Sequence, residues 1–226
     1  MLPGYQGVLQ RLKEERIRNG MSQADLCREI GMLQSHYCKV EQGRNYFSYE
    51  HLKKINATNM DLHFIFTGNR SQLADFPRLQ EVTRNGDWTF IGQFFYVQVE
   101  HICNLQITHE KYREINRQNQ VMRFILNSGK SNLMRLTRYY YEWSQETMAE
   151  RLDIDIKKCS GLETGKIHPN SEMVFLFYQH FRIPPQIILG DDRGIIRAIC
   201  DIMEELTAEE RSKIIQLLAL EKELFG

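Results

Sequence analysis

Apolar residues recur at helical spacing along most of the 226-residue chain, and the breaks between the runs carry Ser, Thr, Asp or Gly. A succession of short helices is the predicted result. Near the N-terminus, Leu12 and Ile17 belong to a helix that ends at Asn19-Gly20. Ser22 then caps a second helix through Leu26 and Ile30, its side-chain oxygen meeting a free N–H of the first turn. Gly31 supplies the turn. A third helix over residues 34–41 shows only Met32, Tyr37 and Val40 toward a core and stops at Gly43. Ser48 caps a fourth through Leu52 and Ile55, and Phe64-Ile65-Phe66 closes a fifth segment before Gly68.

Three further helices are predicted over residues 71–126. Asp87 caps a run through Trp88, Ile91, Phe94, Phe95 and Ile102, and Thr108 caps another through Tyr112, Ile115, Val121 and Phe124. The cluster Trp88, Phe90, Phe94, Phe95 and Tyr96 is expected in a core, because large apolar side chains go inside. Toward the C-terminus, a stripe of Ile195, Ile196, Ile199, Ile202 and Met203 precedes Thr207-Ala208-Glu209-Glu210. That sequence is a capping box opening a helix with Ile214, Ile215, Leu217, Leu218 and Leu220. Self-association is the favoured use of these terminal helices.

Sliding the chain against itself by 122 residues aligns residues 5–68 with 127–190 without a gap. The identities are Gly7/Gly129, Arg16/Arg138, Ser22/Ser144, Gln23/Gln145, Glu41/Glu163, Gly43/Gly165, Glu50/Glu172, Ile65/Ile187 and Gly68/Gly190. They fall on cap, turn and charged positions, so two copies of one small domain are predicted. The segments expected are 5–69, a helical linker over 70–126, a second copy over 127–192, and a helical pair over 193–226.

Composition excludes several classes. With 42% hydrophobic and 26% charged residues, the chain sits in the globular range. The most apolar window, residues 88–107, still contains Gln93, Gln98, Glu100, His101 and Asn104, so no membrane span is predicted. No apolar leader follows Met1, and a cytoplasmic protein is expected. Cys27, Cys38, Cys103, Cys159 and Cys200 form no C-x-x-C pair, and the histidines form no H-x-x-x-H pair. No disulfide framework, metal site or cofactor is therefore indicated, and no catalytic constellation points to an enzyme. Net charge is zero, yet residues 1–69 and 70–131 are each +2 while 132–192 and 193–226 are each −2. A polyanion would prefer the N-terminal half.

The pattern S-Q, eight residues to G, then a short polar helix ending E-x-G-[RK], resembles the Cro/C1-type, lambda-repressor-like helix-turn-helix family. Residues 22–44 carry it, and residues 144–166 repeat it with Asp153 in place of the turn glycine. The resemblance implies an all-α fold of two five-helix domains that bind double-stranded DNA, with repression by occlusion the default and a homodimer reading two half-sites. Carried over by position, Gln34, Ser35, His36 and Lys39 face bases or phosphates, with Gln34 suited to a bidentate pair with adenine. Gln23 is the phosphate clamp, and Arg44 and Asn45 are backbone contacts. The second-copy counterparts are Gln145, Ile156, Lys157, Lys158 and Lys166. The pairs Arg16–Glu41 and Arg138–Glu163 are implied as structural salt bridges. Leu33 stands where the family has a polar cap, and Glu146, Glu150, Asp153 and Asp155 make the second copy acidic, which leaves it either a second reader of DNA or a module reused for packing. The rival reading is a protein-interaction scaffold or antitoxin-like partner that keeps the fold without reading DNA. A small effector is not indicated.

Overall fold

The computed structural model describes residues 4–84, 86–128 and 132–225, so Gly129 of the repeat lies outside the described residues. The described residues are all-α, with no strand among them. Helices α1 (Tyr5–Arg18), α2 (Gln23–Ile30), α3 (Gln34–Glu41), α4 (Tyr49–Ala57) and α5 (Leu62–Thr67) come first. After them run α6 (Pro77–Val82), α7 (Trp88–Leu105) and α8 (Glu110–Asn127). The chain continues through α9 (Leu133–Tyr140), α10 (Gln145–Arg151), α11 (Ile156–Glu163), α12 (Ser171–Phe181) and α13 (Pro185–Ile188), and ends with α14 (Arg193–Glu205) and α15 (Ala208–Phe225).

Local chemistry explains most boundaries. Ser22 accepts the Asp25 N–H and Asp25 returns the bond to the Ser22 N–H, a reciprocal capping box. The Thr207–Glu210 pair opens α15 with the same reciprocal box, while Ser48 and Asp87 cap α4 and α7 in one direction, Ser48 accepting from the His51 N–H and Asp87 from the Thr89 and Phe90 N–H groups. The start of α8 differs from expectation. Its flanking residue is His109, which makes no side-chain cap bond. Thr108 stands one residue too early, because a cap side chain reaches only the N–H groups two or three residues beyond itself. The Arg113 side chain closes this turn by donating to the Thr108 carbonyl at 3.1 Å.

The 122-residue spacing also appears in the backbone. Gly20, Gly31, Gly43 and Gly68 have φ between 67° and 82°, and residues 142, 153, 165 and 190 have φ of 54°, 51°, 72° and 77°. Two of the latter are Glu142 and Asp153, for which left-handed backbone is costly. The caps follow the same spacing. Ser144 accepts from the Thr147 N–H as Ser22 does from Asp25, and Asn170 accepts from Met173 as Ser48 does from His51.

The chain packs as two compact units: residues 1–70 with 157–191, and residues 71–156 with 192–226. In the first, Tyr5, Leu12, Leu26, Ile30, Tyr37, Val40, Leu52 and Ile55 form a core that Val174, Phe175 and Leu189 complete. Ser171 joins the two stretches of chain. Its hydroxyl accepts from the Tyr5 hydroxyl at 2.6 Å and from the Phe47 N–H at 3.0 Å, while its own N–H donates to the Phe47 carbonyl.

The second unit is built on the α7–α8 helical hairpin. Gly92 allows close packing there, since an added Cβ would stand 2.9 Å from Leu126 Cδ1 and 3.2 Å from Ile195 Cγ2 and both side chains would have to shift. Ile195, Ile199, Ile202 and Met203 of α14 are buried, and Glu210 accepts from Gln106 at 2.6 Å and Tyr112 at 2.8 Å. Of the predicted aromatic core, Phe95 and Tyr96 are fully buried. Phe90 is exposed and Trp88 and Phe94 are half-buried; Phe90 and Phe94 line an open cleft that Leu218, Glu221 and Lys222 of α15 border without covering them.

Candidate nucleic-acid interface

The candidate site is the outer side of α3, and the turn before it fixes how α3 is presented. Gly31 ends α2 in left-handed backbone, and Lys54 donates from Nζ to the Ile30 carbonyl at 2.9 Å. A Cβ on Gly31 would lie 2.8 Å from that nitrogen. The structure gives Lys54 a capping task, which no linear pattern announces. Leu33, the residue before α3, makes no side-chain cap and is 78% exposed.

Tyr37 and Val40 anchor α3 in the core, which turns Gln34, Ser35 and Lys39 outward. The side chains of Gln34, Ser35, Lys39 and the exposed Arg44 beyond Gly43 form no hydrogen bond or ion pair with another described residue, although the Arg44 N–H donates to the Lys39 carbonyl at 2.8 Å. His36 and Asn45 are instead joined, Asn45 donating from Nδ2 to His36 Nε2 and accepting from the Tyr46 N–H through Oδ1. His36 then carries its proton on Nδ1. His51 stands behind, its ring centroid 6.4 Å from that of His36 and its Nδ1 bonded to the Ser48 hydroxyl. Burial, then the neighbouring His36 and Lys54, hold the His51 pKa below the ordinary imidazole value.

Glu41 gathers the base of the helix. It accepts from Tyr37 at 2.8 Å and from the Gln23 amide, with Arg16 Nε 3.6 Å away. Arg16 also donates to the Met21 carbonyl at 2.7 Å. Burial, reinforced by the Glu41 carboxylate, pushes the Tyr37 hydroxyl well above its ordinary pKa, so it stays a donor. Gln23 is thus oriented from within: its amide nitrogen is taken by Glu41 and its oxygen faces the Cys38 thiol at 3.7 Å. Around it lies a cleft of about 400 Å³ whose rim includes Gln6, Gln10, Lys13 and Gln42. These four were not read as site residues. The signal available for three of them was the 6, 10, 13 spacing along α1, which sets Gln6, Gln10 and Lys13 on one face; Gln42, just after α3, had no such signal.

The second-copy residues are placed differently. Lys157 and Lys166 are exposed, and Ile156 is 40% exposed. Lys158 is half-buried and donates to Glu172 at 3.0 Å, and Gln145 is half-buried behind the Ser144 cap. Gly161, which weakens α11 as a helix former, lets Ile167 lie close against it: a Cβ there would lie 2.5 Å from Ile167 Cδ1, and the isoleucine side chain would have to shift. Arg138 donates to the Trp143 carbonyl at 3.0 Å, as Arg16 does to Met21, and Glu163 is buried.

A family model described as Helix-turn-helix matches residues 12–58. Residues 12–58 form a helix-turn-helix domain. Such a domain belongs to DNA-binding regulators, and its matched span takes in α2, α3 and every outward residue of α3. Comparison with curated proteins and with solved structures finds no match. No helix among the described residues is long and apolar enough to cross a membrane.

Proposed function

We propose that the protein is a sequence-specific reader of double-stranded DNA that represses transcription in the cytoplasm by occluding its site, and that it acts as a homodimer. The observation that carries this reading is the outer side of α3. Gln34, Ser35 and Lys39 are exposed within the helix-turn-helix domain, and their side chains have no described partner in the chain. Polar groups so presented match the donor and acceptor edges of the major groove. Gln34 reads adenine, Lys39 and Arg44 contact phosphates, and Gln23, held by Glu41 through one amide N–H, offers the second N–H to a further phosphate. His36 and Asn45 work as a joined pair, which contacts the duplex as one surface.

Residues 127–192 are read as a second copy of the domain, supported by the recurrence of caps and left-handed positions at the same spacing. Its role in this proposal is packing. Lys158 is engaged by Glu172, Ile156 replaces Gln34, and Ile167 replaces Asn45 and covers Gly161.

Selection of bound fragments from random duplex, followed by salt titration, tests the reading. Gln34→Ala is expected to relax preference at one base position, while Arg44→Ala weakens all duplexes and lowers the salt slope by about one. Equal losses for Gln34→Ala on selected and random duplex would defeat the readout. No salt-sensitive binding to any duplex would favour the scaffold.

A further inference from the structure

Helix α15 has two faces of different character. Glu210, Ile214 and Leu218 are buried, and Glu221 contacts Gln98 at 3.3 Å. With Gln106 bonded to Glu210 at the other end, α15 runs antiparallel to α7. The opposite face consists of Lys213, Gln216, Leu217, Leu220, Glu223 and Leu224, all exposed. Their spacing of three and four residues makes one continuous stripe. Leu217, Leu220 and Leu224 are 40%, 55% and 75% exposed, and α7 alongside exposes Val97. Three leucines in line on a water-facing helix are costly unless covered.

The charges at the two ends of the stripe say what covers it. Lys213 lies toward the start and Glu223 toward the end. Two copies of α15 laid antiparallel about a two-fold axis near residue 218 place Leu217 on the partner's Leu220 and Lys213 beside the partner's Glu223, both pairings agreeing to within one residue, about 1.5 Å of helix rise. A parallel pair would set Lys213 against Lys213 and Glu223 against Glu223, which repel. The stripe is therefore self-complementary in one orientation only, as a closed two-fold interface requires. Within one chain Lys213 pairs with Glu209 at 2.6 Å, but that exposed contact is weak and leaves further N–H donors for a second carboxylate.

We propose that the outer stripe of α15 is the surface through which two copies of this chain pair, antiparallel, with Lys213 and Glu223 exchanged across the axis. The proposal supplies an interface for the homodimer inferred above and rests on that reading. Sedimentation of the full-length chain without DNA, over a concentration series, tests it. Wild type is expected to dimerise. Leu220→Glu should raise the dimer dissociation constant about tenfold or more, with helicity by circular dichroism unchanged. Lys213→Glu and Glu223→Lys should each weaken pairing, and the double exchange should restore it. A wild-type chain that is monomeric throughout overturns both the dimer and this surface. A wild-type dimer that survives Leu220→Glu, or a double exchange that fails to rescue, overturns the α15 assignment and leaves the dimer standing.

Discussion

At the scale of single residues, Glu41 decides how α3 sits on the domain. Its carboxylate answers Tyr37, Gln23 and Arg16 at once, with side-chain exposures of only 8% for Arg16 and 15% for Glu41. Removing it leaves a largely buried guanidinium without its counter-charge and the buried Tyr37 hydroxyl without its acceptor. Glu41→Ala should lower stability by about 2–3 kcal/mol, measured by urea unfolding. A loss below about 0.5 kcal/mol would show that water replaces the carboxylate there. His51 gives a pH signature. Its pKa is depressed in the folded state, so the unfolded chain binds the proton more readily as pH falls through the ordinary imidazole range. Stability is expected to decline from about pH 7 to about pH 5, and His51→Gln should flatten that decline. An identical pH slope in the variant would place the titrating group elsewhere.

At the scale of elements, the helix order was legible because caps and turn residues state their purpose locally. Ser22, Gly31, Ser48, Asp87 and Thr207 each stand at the boundary their chemistry predicts. Thr108 misled because a cap residue two positions before the helix looks the same in sequence as one directly before it. Phe90 and Phe94 misled because composition reports that side chains are apolar, not whether a neighbour arrives to cover them. The left-handed positions offer a test of the repeat at this scale. Glu142 occupies the position that Gly20 fills 122 residues earlier, at a φ of 54°. Glu142→Gly should raise stability by about 1 kcal/mol, read as a higher urea midpoint. A glycine that destabilises this site would mean that contacts of the glutamate outweigh the backbone cost.

At the scale of the whole molecule, the two compact units join stretches far apart in sequence, and no periodicity within either stretch reveals that. Residues 1–70 carry the entire helix-turn-helix match, yet Val174, Phe175 and Leu189 complete their core and Ser171 satisfies both the Tyr5 hydroxyl and the Phe47 N–H. Each buried apolar side chain contributes about 1.5–3 kcal/mol, so the three together are comparable to the 5–15 kcal/mol that holds an ordinary domain folded. A fragment of residues 1–70 should therefore unfold at a markedly lower urea concentration than the full chain, and a peptide of residues 157–191 added in excess should raise that midpoint. Ser171→Ala in the intact chain should lower stability by about 2 kcal/mol, since it strands two buried donors. Because Phe47 follows the Asn45–Tyr46 loop, the same variant should also weaken DNA binding without altering base preference. A fragment as stable as the intact chain would show that the first five helices are self-sufficient and that residues 157–191 only rest upon them.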